Sequence, residues 1–405
     1  MIRENIKVFK VIIIGAGASG LIASIELAKS FKGENIALIE KLNRVGKKIL
    51  STGNGQCNLS NTNLLSNAYH SSINGFYNYA LNKYGADSFV NFLNELGVMT
   101  IVEEDKIYPL SKQASSVLDA LRFKIENLKV ETFLDSKVEK IAKDKYFNVF
   151  LSNGEILRGE KVIVAVGGKS ASHLGTDGTS YGLLTFFGHT LTKLYPSLVQ
   201  LKTDKTKIKG MKGLKLKANA KVVVNDKIIK EKTGEVLFTD YGVSGNAIFY
   251  LSSYAVNQKC SLVLDMVPEI DVEALTKFLN QKILNCSYLT LENFLSGIIN
   301  NKIASAVLRN SGFDLNKKVK EVDVCDIVKL IKNYEIEIVG SMGYDNSQVT
   351  KGGINVSEFN EKTLESKLVK DLYATGEVLD VDGDCGGFNL QWAYSSARVV
   401  CDDII

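Results

Sequence analysis

The chain has 405 residues, 45% of them hydrophobic and 23% charged, with a formal net charge of +4. This length has room for two or three domains with full hydrophobic cores, and this composition excludes disorder, collagen-like repeats and coiled coils. No apolar run approaches the roughly 20 residues that a membrane-spanning helix needs, so we expect no membrane insertion. The charged N-terminal sequence MIRENIKVFK does not resemble a signal peptide, and we expect a cytoplasmic protein.

Metal-ligating and nucleophilic residues are sparse. The six cysteines and three histidines are scattered, without a CxxC pair or a Cys/His cluster. We therefore predict neither a metal site nor a disulfide framework. His173, Tyr241 and Tyr344 are weak candidates for an acid or base, and the catalytic residues stay unassigned.

The first 40 residues predict a strand, a helix and a second strand around a glycine-rich turn. A β-branched strand at Val11–Ile14 enters Gly-Ala-Gly-Ala-Ser-Gly, a helical pattern follows over Leu21–Lys29, and a strand at Ile36–Ile39 ends at Glu40. A G-x-G-x-x-G turn with an acid about 20 residues further on is typical of dinucleotide-binding βαβ units. The unit by itself leaves FAD, NAD and S-adenosylmethionine open.

Each of these residues has a physical role in that interpretation. Gly15 permits the tight turn, Gly17 lets a pyrophosphate approach the backbone, and Gly20 lets helix and strand pack closely. The helix N-terminus offers free N–H groups and the positive end of its dipole to the phosphates. The carboxylate of Glu40 can accept hydrogen bonds from a ribose.

The loop after the second strand is also predicted to contact the cofactor. It reads KLNRVGKKILSTGNGQCN over residues 41–58, with Gly53 and Gly55 on either side of Asn54. Such glycine-rich loops expose backbone N–H groups that suit phosphates or a polar ring. Because the loop directly follows the predicted ribose-binding strand, we favour this role over that of a plain surface loop.

Further along, the pattern predicts an interrupted α/β domain. Helical spacing over residues 69–128 precedes strands at 130–133, 138–141, 147–151 and 161–166. Lys-rich alternating segments begin near residue 191, helical periodicity covers 272–332, and strands return at 336–343 and 372–377 before a last helix at 391–399. We predict a Rossmann-like domain from residues 1–190 and 340–405, a β-rich insert at 191–270 and a helical insert at 271–339.

The insert carries an uneven charge. Between Lys193 and Lys232 there are twelve lysines and three acids, a local charge of +9. Such a patch could attract nucleic acid or anionic substrates. The run has no arginine and few aromatic residues, so we favour a solvated sheet face over a nucleic-acid site.

Together these stretches resemble the HI0933-like FAD-dependent oxidoreductases, within the glutathione-reductase-like class of flavoproteins with two dinucleotide folds. The resemblance covers nearly the whole chain, and the long glycine loop and the C-terminal segment are its most specific parts. The matching stretches are VIIIGAGASGLIA, GKKILSTGNGQCNLSN, DKIYPLSKQASSVLDAL, VIVAVGGKSASHLGTDGTSYGLL, TGEVLFTDYGVSGNAIFYLSS, VTKGGI and LYATGEVLDVDGDCGGFNLQWAYSS.

The resemblance implies an FAD site built from both ends of the chain. It assigns the pyrophosphate, ribose, adenine, ribityl and flavin contacts to residues in five stretches, with the start of the last helix at the pyrimidine edge of the flavin. These residues are Gly15, Ala16, Gly17, Ala18, Ser19, Gly20, Glu40, Lys41, Lys47, Thr52, Gly53, Asn54, Gly55, Cys57, Asn58, Val138, Ala165, Val166, Gly167, Gly376, Glu377, Asp380, Gly387, Phe388, Asn389 and Leu390.

The resemblance also implies hydride transfer at flavin N5 with a small organic substrate, with NAD(P)H as a transient reductant. One alternative is an amine-type oxidase that uses oxygen. A second is a flavoprotein that acts on RNA through Lys193–Lys232, and a third is a flavin-binding module without turnover. No oligomeric state is predicted.

Overall fold

The computed structural model describes residues 7–64 and 67–405 and separates into two compact units. The first unit combines both ends of the chain, with its boundaries at Tyr195 and Gln348, and the second is Pro196–Ser347. The further division of the middle segment into a β-rich part (191–270) and a helical part (271–339) stays a prediction.

The N-terminal part of the first unit alternates strands and helices, as the sequence predicts for an α/β domain. Its helices are α1 (Ala18–Ser30), α2 (Asn78–Lys83), α3 (Ala86–Glu95), α4 (Ala114–Asn127) and α5 (Gly182–Thr185). Its strands are β1 (Val8–Ile14), β2 (Ile36–Ile39), β3 (Ser60–Asn61), β4 (Tyr69–His70), β5 (Thr100–Glu103), β6 (Lys106–Pro109), β7 (Glu131–Phe133), β8 (Val138–Lys143), β9 (Phe147–Leu151) and β10 (Ile156–Val164).

The middle segment contains longer strands and most of the remaining helices. Its strands are β11 (Tyr195–Ser197), β12 (Leu201–Thr203), β13 (Lys215–Val224), β14 (Lys227–Phe238), β15 (Gly242–Ser244), β16 (Cys260–Asp265) and β17 (Tyr334–Ser341). Its helices are α6 (Lys205–Ile208), α7 (Asn246–Ala255), α8 (Val272–Asn285), α9 (Leu291–Phe294), α10 (Asn301–Asn310) and α11 (Val324–Lys332).

The C-terminal segment returns to the first unit with three short strands and one long helix. They are β18 (Val349–Lys351), β19 (Leu372–Ala374), β20 (Asp382–Gly383) and α12 (Phe388–Ile404).

The main sheet of the first unit has the order β7-β2-β1-β10-β9-β8, with β19 also paired to β10. The strands β7, β2, β1, β10 and β19 run parallel, whereas β9 and β8 form an antiparallel extension. The parallel strands are almost continuously apolar because helices cover a parallel sheet on both faces. The Rossmann-like α/β fold predicted from the sequence is confirmed.

Two strands end before the positions that their apolar sequence patterns predict. The strand predicted at 161–166 stops at Val164, and the one predicted at 372–377 stops at Ala374. Gly167 and Gly376 each have a φ of +72°, a left-handed conformation that turns the chain out of the sheet. The last helix starts at Phe388, three residues before the predicted position.

The second unit is built on a closed barrel with the strand order β12-β15-β14-β13-β16-β17. Side chains from these strands and from α7, α8, α10 and α11 share one hydrophobic cluster. In the part of the chain that the structure describes, no helix combines the length and the apolar character needed to span a bilayer.

Candidate functional site

The glycine-rich turn after β1 is held by contacts that only glycine permits. Gly15 has a φ of +102°, and a Cβ at this position would lie 2.5 Å from the carbonyl oxygen of Ala165. A Cβ at Gly20 would lie 1.9 Å from the carbonyl oxygen of Gly15. These two glycines therefore bring the ends of β1 and β10 and the first turn of α1 together.

Gly17 differs from its two neighbours because it faces open space. A Cβ at Gly17 would meet no atom within 4 Å, and the residue has an ordinary extended conformation. No side chain caps the N-terminus of α1, where free N–H groups and the helix dipole favour an anion. The open space and the uncapped helix N-terminus would suit a pyrophosphate, and the contact itself stays a prediction.

Glu40 follows β2 and lies beside the same turn. Its Oε2 accepts a hydrogen bond from the Ala16 N–H (3.0 Å), and its Oε1 accepts one from the Leu42 N–H (2.9 Å). Burial raises the pKa of this carboxyl above its usual value, although these backbone hydrogen bonds oppose the shift. The carboxylate is therefore held at the edge of the cradle.

Four residues of the loop after β2, three of them consecutive, have a left-handed backbone conformation. Gly53, Asn54, Gly55 and Cys57 have φ values of 55°, 54°, 85° and 59°. Burial raises the pKa of the Cys57 thiol to about 11, so the thiol stays protonated at neutral pH. The loop thus exposes backbone, and Cys57 is not a reactive thiolate.

Lysines of this loop make ion pairs with distant segments. Lys41 Nζ lies 3.1 Å from Asp177 Oδ2, and Lys48 Nζ lies 2.8 Å from Glu377 Oε2. The sequence pattern singles out Lys47, which is half-buried, whereas Lys48 carries the contact to Glu377. Only the distance between Lys48 and Glu377 in the folded chain could identify this pair.

The end of β10 lies beside the glycine turn, but Val138 belongs to a different part of the sheet. The Ala165 N–H donates to the Ile14 carbonyl (2.8 Å), and Val166 and Gly167 continue from there. Val138 is buried in β8, which two strands separate from β1 in the sheet order. The cofactor contact of Val138 stays a prediction.

The C-terminal segment returns to the start of α1. A Cβ at Gly376 would lie 2.9 Å from Ser19 Oγ, and the Gly376 carbonyl accepts a hydrogen bond from Trp392 Nε1 (3.0 Å). Glu377 Oε1 accepts one from the Thr350 N–H (2.8 Å). The structure therefore brings Gly376 and Glu377 to the same cradle as the glycine turn.

The N-terminus of α12 approaches β3 equally closely. Gly387 has a φ of +94°, and a Cβ there would lie 2.2 Å from the Ser60 carbonyl oxygen. The Asn58 amide bridges the two segments, donating to the Ser60 carbonyl (3.1 Å) and accepting from the Gly387 N–H (3.2 Å). The structure thus brings Asn58 and Gly387 together, and the flavin contacts of both residues stay a prediction.

At the start of α12 the side chains are in contact with other parts of the protein, whereas no side chain caps the backbone N–H groups. The Asn389 side chain accepts from the Gly383 N–H (2.9 Å) and donates to its carbonyl (2.8 Å). Phe388 is buried and packs edge-to-face on Tyr69, while Leu390 is half-buried against the core. No side chain caps α12, so its backbone N–H groups are the part that can meet a ligand.

A polar cluster lies beside this helix, and of its residues only Asp380 is among the predicted site residues. His70 Nε2 lies 2.9 Å from Asp384 Oδ1, and Asp380 Oδ2 accepts from the Ser72 N–H (3.1 Å). Asp382 is buried, and neither of its carboxyl oxygens has a hydrogen-bond partner among the described residues. The alternating aspartates of Asp-Val-Asp-Gly-Asp were the available sequence signal.

The weak acid–base candidates lie elsewhere. His173 is exposed in a short turn, and Tyr241 and Tyr344 belong to the second unit. Across residues 7–64 and 67–405, no group of three or more His, Cys, Asp or Glu residues is arranged to hold a metal ion. A candidate redox site is therefore built from the cradle and the polar cluster of the first unit.

Comparison with known proteins finds relatives that match nearly the whole chain. A 3-dehydro-bile acid delta(4,6)-reductase from Clostridium scindens is 34% identical over 392 residues, covering 95% of this chain and 96% of the relative. A ribosomal RNA dihydrouridine synthase from Escherichia coli is 30% identical, covering 98% of each chain. Its counterpart from Haemophilus influenzae is 29% identical, covering 95% of this chain and 96% of the relative.

Solved structures support the same fold. An open-conformation flavocytochrome c3 fumarate reductase aligns with a TM-score of 0.50 and 15% identity, covering 98% of this chain and 78% of that one. The model of the HI0933-like protein Rossmann domain matches residues 9–403. Because this match includes the glycine turn, the loop after β2 and the start of α12, the chain belongs to the HI0933-like family of flavin-dependent oxidoreductases.

Proposed function

We propose that the first unit binds one FAD between the uncapped N-termini of α1 and α12 and uses it to reduce a carbon–carbon double bond conjugated to a carbonyl group. The observation that carries the proposal is the open cradle above Gly17, where a Cβ would meet no atom within 4 Å. The contact of Gly376 with Ser19 supports it, since that contact joins the C-terminal segment to the same cradle.

In this proposal the chain holds the cofactor mainly through backbone groups. The N–H groups at the start of α1 bind the pyrophosphate, and Glu40 accepts hydrogen bonds from the adenosine ribose. Glu377 and Asp380 reach the ribityl region, each already held by a backbone N–H. The remaining predicted contacts, from Lys41 to Asn58 and from Ala165 to Gly167, line the same cradle.

Once bound and reduced by two electrons, FAD would supply a hydride to the substrate double bond. The chain contributes the positive end of the α12 dipole, which stabilises negative charge at the pyrimidine edge of the reduced ring. The Asn389 side chain already hydrogen-bonds the backbone of Gly383. The backbone N–H groups of residues 388–390 would therefore provide this stabilisation. The close approach of Gly387 to Ser60 fixes the direction in which they point.

The names of the relatives support the substrate class. A delta(4,6)-reductase of a 3-dehydro-bile acid and a dihydrouridine synthase both saturate a double bond conjugated to a carbonyl. The ring systems differ, whereas the electron-poor double bond is shared. We infer that this chain acts on a small unsaturated carbonyl compound and that NAD(P)H reduces the flavin transiently.

An anaerobic stopped-flow experiment tests this function. The purified yellow protein is mixed with NADH or NADPH, and absorbance is followed at about 450 nm, where oxidised flavins absorb. We expect bleaching by one nucleotide and recovery of colour when a steroid 4-en-3-one is added. No bleaching by either nucleotide favours the amine-type oxidase or a flavin-binding module without turnover, and a colourless protein contradicts the proposal.

A second candidate function, reduction of uracil in RNA, is favoured by one surface of the second unit. Lys230 Nζ lies 5.4 Å from the ring centre of Tyr250 and 5.0 Å from that of Tyr254, and Lys232 Nζ lies 5.1 Å from Tyr250. We call these four residues the Lys–Tyr face. Basic and aromatic side chains together suit single-stranded RNA.

Charge-neutralising variants test the Lys–Tyr face. Replacing Lys230 and Lys232 with Gln should weaken binding to a ribosomal RNA fragment in a gel-shift assay and reduce the salt slope by about two. Lys217→Gln is the control, because its Nζ already pairs with Glu269 at 2.8 Å. Equal binding by the double variant and the wild type excludes the Lys–Tyr face as an RNA site.

A further inference from the structure

A single peptide group just before α12 is held on both sides by asparagine side chains. The N–H of Gly387 donates a hydrogen bond to the Asn58 side chain (3.2 Å). The carbonyl of Gly386, which belongs to the same peptide group, accepts one from Asn61 Nδ2 (3.0 Å). The plane of this peptide is therefore fixed at its donor and at its acceptor.

This peptide group needs such support because it joins two glycines. Gly386 and Gly387 have φ values of +143° and +94°, in the region that glycine enters readily and other residues avoid. Two adjacent glycines permit many backbone conformations, so the chain by itself does not fix the direction in which α12 begins. The two asparagine side chains supply that direction.

Ser60, which lies between the two asparagines, extends the contact into the helix. Ser60 Oγ donates to Gln391 Oε1 (2.5 Å), and Gln391 Nε2 donates to the Tyr84 carbonyl (2.8 Å). Ser60, Asn61 and Gln391 are all buried. Removing one partner of a buried hydrogen bond leaves the other unsatisfied at a cost, so these contacts resist displacement of the first turn. We call Asn58, Ser60 and Asn61 the α12 clamp.

The direction of α12 matters for the proposed electrostatic effect on the flavin. In the proposed function, the N–H groups of residues 388–390 stabilise negative charge at the pyrimidine edge of the reduced ring. Such stabilisation requires donors that are already aimed at the place where the charge develops. Donors that turn away lose more of their effect on the charged reduced ring than on the neutral oxidised ring.

We propose that Asn58, Ser60 and Asn61 are positioning residues that aim the N-terminus of α12 at the flavin and thereby raise the reduction potential of bound FAD. The inference rests on the proposed function, because it takes the start of α12 as the pyrimidine contact. Ser60 and Asn61 are not among the predicted cofactor contacts, and the clamp gives them a role that acts through the helix.

The reduction potential of the FAD-loaded chain tests the clamp without knowledge of the substrate. Asn61→Ala and Ser60→Ala should keep the flavin and lower its potential, because each variant releases one contact at the start of α12. For Asn61→Ala we expect at least a tenfold loss in the binding of reduced relative to oxidised flavin. This loss corresponds to about 30 mV for a two-electron couple.

Asn148→Ala is the matched control. The Asn148 side chain also joins two residues, accepting from Arg158 Nε (3.0 Å) and donating to Asp144 Oδ2 (3.3 Å), but it lies in β9 and not at the start of α12. We expect this variant to leave the potential unchanged. If the clamp variants also lower only the melting temperature and keep the wild-type potential, the clamp merely stabilises the fold and the proposal is overturned.

The remaining outcomes separate this inference from the proposed function. A potential that falls in Asn58→Ala but not in Asn61→Ala or Ser60→Ala indicates direct contact of Asn58 with the flavin and overturns the clamp. If a variant loses its flavin, titration with oxidised and with reduced FAD gives the ratio of the two affinities, and a wild-type ratio overturns the proposal. Ser60→Ala, which removes one oxygen atom, serves where an asparagine variant does not fold. A wild type that binds no FAD overturns the proposed function and this inference with it.

Discussion

At the scale of single residues, the glycines of the site are not equivalent. Gly17→Val places a side chain in open space, so we expect a folded protein that binds no flavin, because the pyrophosphate loses its close approach. Absorbance at about 450 nm measures the bound flavin and circular dichroism the fold. Gly17→Ala is the milder control, and full flavin in the valine variant would contradict the geometry.

Substitution of Gly387 is expected to lower the stability of the fold, not only to prevent flavin binding. Gly387 has a φ of +94°, and a Cβ at this position would lie 2.2 Å from the Ser60 carbonyl oxygen. Gly387→Val is therefore expected to strain the backbone of the protein even when no flavin is bound. The left-handed conformation alone costs a non-glycine residue about 1 to 2 kcal/mol. We expect a lower melting temperature even without flavin, and an unchanged one would show that the segment can move away from Ser60.

His189 gives the fold a dependence on pH. Its Nδ1 lies 3.0 Å from Glu358 Oε2 and its Nε2 lies 2.9 Å from Ser366 Oγ, and burial lowers its pKa below the usual value of 6.5. The unfolded chain therefore binds the proton more tightly, so the free energy of unfolding should fall as the pH drops below 6.5.

Urea unfolding between about pH 7.5 and pH 5 measures this effect. His189→Gln should flatten the dependence over the upper part of the range. The carboxyl of Glu358, whose pKa is lowered, contributes at more acidic pH, below its usual value of 4.5. A wild type with constant stability from neutral pH to pH 5 would contradict the role of His189.

At the scale of elements, a buried ion pair ties α11 to β16. Lys332 Nζ lies 2.6 Å from Asp265 Oδ2 and also donates to the carbonyls of Val267 (3.0 Å) and Ile270 (2.8 Å). Lys332→Met leaves the Asp265 charge unpaired, and breaking such a pair costs about 3 kcal/mol. The free energy of unfolding from denaturant titration measures this loss.

An exposed pair on the same unit is the control. Lys217→Met removes the contact with Glu269, where both side chains are more than half exposed, and solvent screens such charges. We expect no measurable change for this variant. Equal losses in the two variants would show that the Lys332 pair is screened as well.

At the scale of the whole molecule, the two units differ in how the chain builds them. The barrel of the second unit closes on strands from one continuous segment, Pro196–Ser347, with its own hydrophobic cluster. The first unit needs β19 beside β10 and α12 beside α1, and both come from the C-terminal segment. Its core thus depends on both ends of the chain.

Expression of fragments tests this asymmetry. Residues 196–347 should unfold cooperatively on heating as an isolated fragment, because their core is complete. Residues 1–195 alone should remain unfolded, because Trp392 and Tyr394, both buried in α12, are missing from their core. A stable, folded fragment 1–195 would show that the C-terminal segment is dispensable for the fold.

The sequence by itself determined the features that local residue spacing encodes: the parallel strands, the turn with Gly15, Gly17 and Gly20, and Glu40 directly after β2. These depend on residues within a few positions of each other, whose spacing fixes backbone conformation and the buried face. The boundaries of β10 and β19 were less predictable, because glycines end each strand before its apolar pattern does.

Only the tertiary structure decided which distant residues meet. Lys48 pairs with Glu377 across the fold, and Asp382 becomes a buried carboxyl without a partner beside His70. The basic run contains few aromatic residues in sequence, yet α7 supplies Tyr250 and Tyr254 close to Lys230. Such contacts follow from the packing of strands and helices on one another, which local periodicity does not encode.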